Sequence, residues 1–90
     1  MQRLELSVFG RVQGVGFRFF AEAEAMVHRV NGFVRNAKDG SVEIVCEGEK
    51  ENLLKFLKAI EKGPPTGKVE RIKDRWHEAK GEFKGFTIKY

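Results

Sequence analysis

Cysteine, proline and long apolar runs are scarce in this chain of 90 residues. The single cysteine, Cys46, excludes an internal disulfide framework and every metal site built from several cysteines. The longest run without a charged residue is residues 12–17, which is far too short to span a bilayer. The N-terminus lacks the basic, apolar and small-residue regions of a signal peptide. We therefore expect a cytoplasmic protein with no membrane association.

The residues that are present are typical of one small folded domain. Hydrophobic residues make up 41% of the chain and charged residues 33%, a balance outside the range of disordered chains. Ninety residues suffice for one packed core, so we expect a single domain over residues 1–90, acting as a monomer. The net charge of +4 favours an anionic partner, but it does not distinguish a small anion from a nucleic acid.

The first half of the chain predicts a strand, a loop and a helix. Apolar residues alternate at positions 4, 6 and 8, which indicates a half-buried strand ending at Gly10, and the glycine-rich segment 10–16 predicts a loop. A helix is expected from Phe17, closed by Asn31-Gly32 because both residues tolerate the left-handed conformation. Its predicted apolar face comprises Phe20, Ala23, Val27 and Val30.

The second half predicts a hairpin, a helix and two further strands. The hairpin joins segments 33–37 and 41–47 through Asp39-Gly40, and the helix covers residues 50–62. Segment 69–76 is extended but needs a bulge to bring Val69 and Ile72 to one face. A short strand, 86–90, ends the chain.

This order of elements predicts an α+β ferredoxin-like sandwich, with two helices packed on one face of an antiparallel-type sheet. If the first strand runs up, the first helix comes down and the second strand runs up again. The glycine-rich loop, the start of the helix and the end of the second strand then share one edge of the sheet. Arg18 and Asn36 are therefore predicted to lie at the same edge.

The loop Gly-Arg-Val-Gln-Gly-Val-Gly-Phe-Arg, residues 10–18, has the features of an oxyanion site. Glycines let backbone N–H groups turn towards an anion, and a helix N-terminus adds a partial positive charge. Arg18 supplies a permanently charged fork. No Gly-Lys-Ser/Thr follows, which excludes a Walker A loop, and the third glycine of the dinucleotide motif is missing. A structural turn with a surface arginine remains the alternative.

Several reactive residue types are absent from the same region. Between Glu5 and Glu22 there is no Asp, Glu, His, Cys or Thr, and Ser7 is the one serine. The loop thus offers no general base, no metal carboxylate and no good nucleophile. A reaction here must depend on positioning and electrostatics, which suits phosphoryl transfer from a good leaving group. A carboxylate, with a pKa of about 4, is such a group.

Two long motifs in this chain resemble the acylphosphatase family. They are residues 10–18 and Gly-Phe-Val-Arg-Asn-Ala-Lys-Asp-Gly-Ser-Val-Glu, residues 32–43. Gly63-Pro64-Pro65 and the ending Gly-Phe-Thr-Ile-Lys-Tyr, residues 85–90, also fit the family, so the resemblance covers the whole chain. Thr66-Gly67-Lys68 is less usual for the family after the paired prolines, but this departure affects only a loop.

The resemblance implies hydrolysis of the carboxyl–phosphate anhydride of acyl phosphates without metal or other cofactor. The family's catalytic arginine falls on Arg18 and its catalytic asparagine on Asn36. Arg18 and the backbone of the loop would hold the phosphoryl oxygens, while Asn36 would orient the attacking water and the substrate itself would take the water's proton. Inorganic phosphate or sulfate would then compete with the substrate for this cradle, which is formed by the loop backbone and Arg18. The backbone groups implied belong to Gln13, Gly14, Val15, Gly16 and Phe17.

Other interpretations of these residues stay open from sequence. Asn36 could simply end a strand, and a silent regulatory domain would bind phosphate without turnover. An RNA-recognition module has the same order of elements, but it needs surface aromatics on a central strand, and 42–47 has none, so we expect no nucleic acid partner. Cys46 is interpreted as a buried inert thiol, and His28 and His77 lack a metal-ligand pattern.

Overall fold

The computed structural model describes all 90 residues, and it confirms the ferredoxin-like sandwich. The elements are β1 (Gln2–Arg11), α1 (Phe17–His28), β2 (Asn31–Asn36), β3 (Val42–Gly48), α2 (Lys50–Lys62), β4 (Lys68–Glu78) and β5 (Phe86–Lys89). The strands form one sheet in the order β4-β1-β3-β2-β5. All neighbours are antiparallel except β2 and β5, which are parallel and make the sheet mixed. No helix is long and apolar enough to cross a membrane.

The core lies between the two helices and one face of the sheet. Leu4, Leu6 and Val8 of β1 are at most 1% exposed and alternate with residues on the open face, as the sequence predicted. In α2, Leu53, Phe56 and Ile60 are buried and belong to the same core cluster. Burial raises the pKa of the Cys46 thiol to about 12, so this cysteine is protonated and unreactive at neutral pH.

The face that α1 buries differs in part from the predicted one. Of the predicted residues, Phe20 packs against the core and Val30 is buried, whereas Ala23 and Val27 are exposed. The residues that α1 buries most deeply are Phe17, Ala21 and Ala25. Apolar residues occur almost all around this helix, so periodicity alone does not select one face. Alanines at two of the three inward positions let the helix backbone approach the sheet closely.

Several element boundaries also differ from the prediction. β1 continues through Gly10 and Arg11, so the loop shortens to residues 12–16. Helix α1 ends at His28, and the next residue, Arg29, adopts the left-handed conformation. Asn31-Gly32 already belong to β2. The backbone N–H groups of Arg29 and Val30 bond the carbonyls of Met26 and Ala25, which closes the helix without glycine. At the other end of the chain, Tyr90 lies beyond β5 and is exposed.

The predicted bulge in the fourth strand is present. Phe9 pairs with Arg71 and Gly10 with Val69, so Glu70 is the extra residue on β4. The bulge places Val69 and Ile72 on the helix-covered face, where both pack against the core.

A buried carboxylate joins β1, β3 and the segment before β5. Glu47 is 3% exposed. It accepts hydrogen bonds from the backbone N–H groups of Lys80 (2.8 Å) and Gly81 (2.9 Å) and from Arg3 Nη1 (3.2 Å). Burial by itself raises the pKa of Glu47, but these donors outweigh it and the pKa lies below its ordinary value.

This carboxylate makes the stability of the fold depend on pH. Because its pKa is lowered on folding, Glu47 stabilises the protein above its ordinary pKa of 4.5, and the contribution is lost as the pH falls through that value towards the folded pKa. We expect Glu47→Gln to lower the free energy of unfolding at pH 7 and to flatten its decline between about pH 5 and pH 3. Urea unfolding across this range measures both effects. The control is Glu78→Gln, an exposed residue of β4, and parallel pH curves for native protein and Glu47→Gln would contradict the assignment.

A glycine in β2 is required by close packing of the strands. Gly32 has φ 152°, and a Cβ there would collide with the carbonyl oxygen of Val45 on the neighbouring strand. We expect Gly32→Ala to destabilise the protein by more than about 2 kcal/mol. Gly40→Ala, which has φ 91° but open space around it, should cost about 1–2 kcal/mol. Thermal and urea unfolding compare the two variants, and equal losses would refute the steric argument.

Candidate functional site

The loop 12–16 is fixed at both ends by core residues. Val12 and Phe17 are each 1% exposed, so the chain enters and leaves the loop through the hydrophobic core. Between them, Gly14 (φ 74°) and Gly16 (φ 76°) adopt the left-handed conformation that other residues rarely take. A Cβ at either glycine would meet no atom within 4 Å, so backbone conformation rather than space requires glycine here.

The backbone donors of this loop are unpaired within the protein. None of the N–H groups of residues 13–16 donates a hydrogen bond to a protein atom. The next three N–H groups, of residues 17–19, lie in the first turn of α1, where no intrahelical acceptor exists. No side chain caps this end of α1, and its first turn holds no acidic residue. A continuous run of donors at a helix N-terminus is a favourable environment for an anion.

The Gln13 side chain ties this loop to the β2–β3 connection. Its Nε2 donates to the carbonyl oxygens of Ala37 and Ser41, each at 2.9 Å. The same connection is closed by Asp39, whose carboxylate accepts from the backbone N–H and the hydroxyl of Ser41. The side-chain hydrogen bond from Ser41 is the main reason that the pKa of Asp39 is lowered. Asp39 is therefore a turn former, as the sequence predicted.

Asn36 and Arg18 line the same cavity. The cavity has a volume of about 90 Å³. The oxygen Oδ1 of Asn36 is buried without a hydrogen-bond partner, which is uncommon for a buried polar atom and leaves an acceptor for a ligand. The lining residues are Val12, Gly14, Gly16, Phe17, Arg18, Phe19 and Asn36.

The last two residues of the chain contact the Arg18 side chain. Its Nη1 lies 3.5 Å from the carbonyl oxygen of Lys89, and its guanidinium carbon lies 4.8 Å from the centre of the Tyr90 ring. Because the parallel pairing of β5 with β2 carries Lys89 to this edge of the sheet, the last residues reach the start of α1. These contacts restrict the orientation of the guanidinium.

The structure thus brings together most of the residues singled out from sequence. Gly14, Gly16, Phe17, Arg18 and Asn36 line the cavity, whereas Gln13 and Val15 belong to the loop but not to the lining. The sequence indicates a role for the backbone of Gln13 but gives no sign of its bridging side chain. No local signal predicts the contact between Tyr90 and Arg18 either.

A larger groove lies on the open face of the sheet and has different chemistry. Its volume is about 710 Å³, and it is lined by residues of both charges. Glu5 there accepts from Arg3 Nε at 3.2 Å and lies 3.6 Å from Arg75, while Glu43 is paired with Arg35. The lining thus includes the carboxylates of Glu5, Glu43 and Asp74, which repel an anion, so the smaller cavity is the stronger candidate for anion chemistry.

Several known proteins with a similar sequence and fold are acylphosphatases. A family model described as acylphosphatase matches residues 4–88. An acylphosphatase of Bacillus licheniformis is 48% identical over 90 residues, covering 100% of both chains. The crystal structure of acylphosphatase from Bacillus subtilis has a TM-score of 0.96 at 39% identity and covers 100% of both chains.

A larger protein contains a similar unit. Full-length HypF, in a phosphate- and nucleotide-bound form, has a TM-score of 0.89 at 34% identity, covering 99% of this chain and 12% of HypF. The resemblance predicted from the two motifs is confirmed by the family model and by relatives that match over their full length. The chain therefore belongs to the acylphosphatase family.

Proposed function

We propose that the cavity beside loop 12–16 is where this acylphosphatase holds and hydrolyses the phosphoryl group of an acyl phosphate. Family membership makes the chain a hydrolase of acyl phosphates. The observation that carries the placement is the meeting, at one small cavity, of free backbone donors, Arg18 and Asn36, whose Oδ1 has no partner within the protein. Donors and acceptor together match a phosphoryl group and an incoming water.

The phosphoryl group is held by positive groups on one side of the cavity. The N–H groups of residues 13–17 donate to its equatorial oxygens, and the Arg18 guanidinium offsets the charge that the transition state spreads over them. Tyr90 and the Lys89 carbonyl restrict Arg18 in advance, so little reorientation is needed during the reaction. The cavity volume of about 90 Å³ fits the phosphoryl group alone, so the acyl group lies outside.

Asn36 orients the attacking water. Its unpaired Oδ1 accepts a hydrogen bond from the water and directs the water oxygen at phosphorus, in line with the leaving carboxylate. The new bond joins water oxygen to phosphorus, and the bond from phosphorus to the acyl oxygen breaks with its electron pair on the carboxylate. A phosphoryl oxygen of the substrate takes the water's proton, giving a carboxylate and inorganic phosphate.

No general base or acid of the protein is required by this route. The residues lining the cavity include no carboxylate, histidine, cysteine or lysine. A carboxylate leaves without protonation because its conjugate acid has a pKa of about 4. An alkoxide does not, so we expect acyl phosphates to be hydrolysed far faster than phosphate monoesters.

We further propose the setting in which the enzyme acts. Residues 1–90 form one domain, since β1 and β5 belong to the same sheet and share one core. One chain supplies every group that the proposed mechanism uses, so a monomer suffices for the reaction. The single thiol of Cys46 is unpaired, which suits the reducing environment of the cytoplasm.

The role of Asn36 is tested by Asn36→Ala with benzoyl phosphate as substrate. Loss of the amide leaves the water unoriented, so kcat should fall by about a hundredfold or more while phosphate still binds. The matched control is Asn31→Ala at the start of the same strand, which should keep native kinetics. An aryl phosphomonoester should be a poor substrate for all three proteins. A folded Asn36→Ala variant with native kcat would exclude the proposed role.

Occupancy of the cradle is tested by product inhibition. Inorganic phosphate and sulfate fit the same donors, so either ion should raise the apparent KM for benzoyl phosphate and leave kcat unchanged. Initial rates at several fixed phosphate concentrations distinguish the patterns. Purely noncompetitive inhibition would place the anion site elsewhere on the protein.

A further inference from the structure

The turn between α2 and β4, residues 63–67, packs directly against the phosphate loop. Thr66 Oγ1 donates a hydrogen bond of 2.7 Å to the carbonyl oxygen of Val15. Next to it, a Cβ on Gly67 would lie 2.7 Å from the carbonyl oxygen of Arg11 and 3.0 Å from Val15 Cγ2. There is thus no room for a larger residue at position 67, and the turn lies in close contact with the loop.

The hydrogen bond from Thr66 fixes the direction of one peptide group. In a planar trans peptide, the carbonyl oxygen of Val15 and the N–H of Gly16 point in opposite directions. With the oxygen held at Thr66, the N–H of Gly16 points away from the turn. Gly16 lines the cavity, whereas Val15 does not. The hydroxyl of Thr66 therefore keeps one N–H available to the cavity without contacting the cavity itself.

The peptide needs this contact because glycine leaves its orientation free. Rotating the peptide between Val15 and Gly16 by half a turn changes ψ of residue 15 and φ of residue 16. Gly16 has φ 76°, and glycine populates negative φ about as readily. The rotated peptide would present a carbonyl oxygen, instead of an N–H, to a bound anion, and the two negative groups would repel.

We propose that Thr66 is a positioning residue for catalysis, which selects the orientation of the Val15–Gly16 peptide that can bind the phosphoryl group. This inference rests on the proposed function of the loop as the phosphoryl cradle. It extends the site to the turn between α2 and β4. Because β4 and β3 lie on opposite sides of β1 in the sheet, this turn and the β2–β3 connection lie on opposite sides of β1. Gln13 holds the loop on one side and Thr66 on the other.

The test compares two substitutions at position 66. Thr66→Val keeps the shape of the side chain and removes the donor, while Thr66→Ser keeps the donor and removes a methyl group. Thr87→Val on β5, an exposed threonine with no side-chain hydrogen bond, is the matched control. Because the Thr66 hydroxyl is exposed, none of these changes should unfold the protein, and circular dichroism and thermal melting check this.

Two measurements report on the orientation of the Val15–Gly16 peptide. The first is kcat/KM for benzoyl phosphate together with the Kd of inorganic phosphate. The second is the ¹⁵N-HSQC signal of Gly16 during titration with inorganic phosphate, since an N–H that donates to the anion moves downfield. Loss of one hydrogen bond to a charged group predicts that Thr66→Val weakens phosphate binding and lowers kcat/KM, each by about tenfold. Its Gly16 signal should no longer follow phosphate.

The outcomes separate this inference from the proposed function. Native behaviour of Thr66→Ser and Thr87→Val, with the losses confined to Thr66→Val, supports the positioning role. A Thr66→Val variant with native kinetics and a native Gly16 shift overturns it, as does a Thr66→Ser variant as impaired as Thr66→Val. A native protein that binds phosphate but hydrolyses no acyl phosphate would refute the proposed function, while the Gly16 shift would still decide the role of Thr66.

Discussion

The two hydrogen bonds of the Gln13 amide join the segments on which the site depends. One segment carries the backbone donors of the loop, and the other carries Asn36, which directly precedes the Ala37 carbonyl that Gln13 holds. Neither segment makes a site by itself: the loop has donors and no acceptor for water, and Asn36 has an acceptor and no positive charge. The amide is long enough to bridge them and neutral, so it adds no charge beside the phosphoryl group.

The chemistry of this site is supplied mainly by the backbone. Its donors are peptide N–H groups, which do not titrate, together with the Arg18 guanidinium. The side chains around the cavity therefore act by holding these groups in place: Val12 and Phe17 from the core, and Gln13 and Thr66 through hydrogen bonds to main-chain carbonyls. Such preorganised dipoles stabilise developing charge without rearranging during the reaction.

Much of this arrangement could be predicted from the sequence because its signals are local. Alternating apolar residues predicted β1, and the Asp-Gly turn predicted the hairpin. The absence of acidic residues between Glu5 and Glu22 predicted a site without a general base. The order of elements then placed Arg18 and Asn36 at one edge of the sheet, and they do line one cavity. Specific motifs identified the family.

The features that could not be predicted depend on contacts between distant segments. The buried face of α1 was predicted only in part, because nearly every face of that helix is apolar and only the packing of Ala21 and Ala25 on the sheet decides. The side chains of Gln13, Thr66 and Arg18 form hydrogen bonds with residues that are 24 to 71 positions away in the chain. No periodicity or turn pattern carries such information. The ordinary glutamate at position 47 likewise gave no sign of its burial.

The anchoring of the loop by Val12 and Phe17 has a consequence for how the protein fails under stress. Both residues belong to the same hydrophobic cluster as β1 and α2, so the loop has no hinge of its own through which it could melt separately. Regions that open locally have few buried apolar contacts. Here both ends of the loop are buried in that cluster, so we expect the loop to unfold together with the core. Activity and the fold should then be lost together on heating.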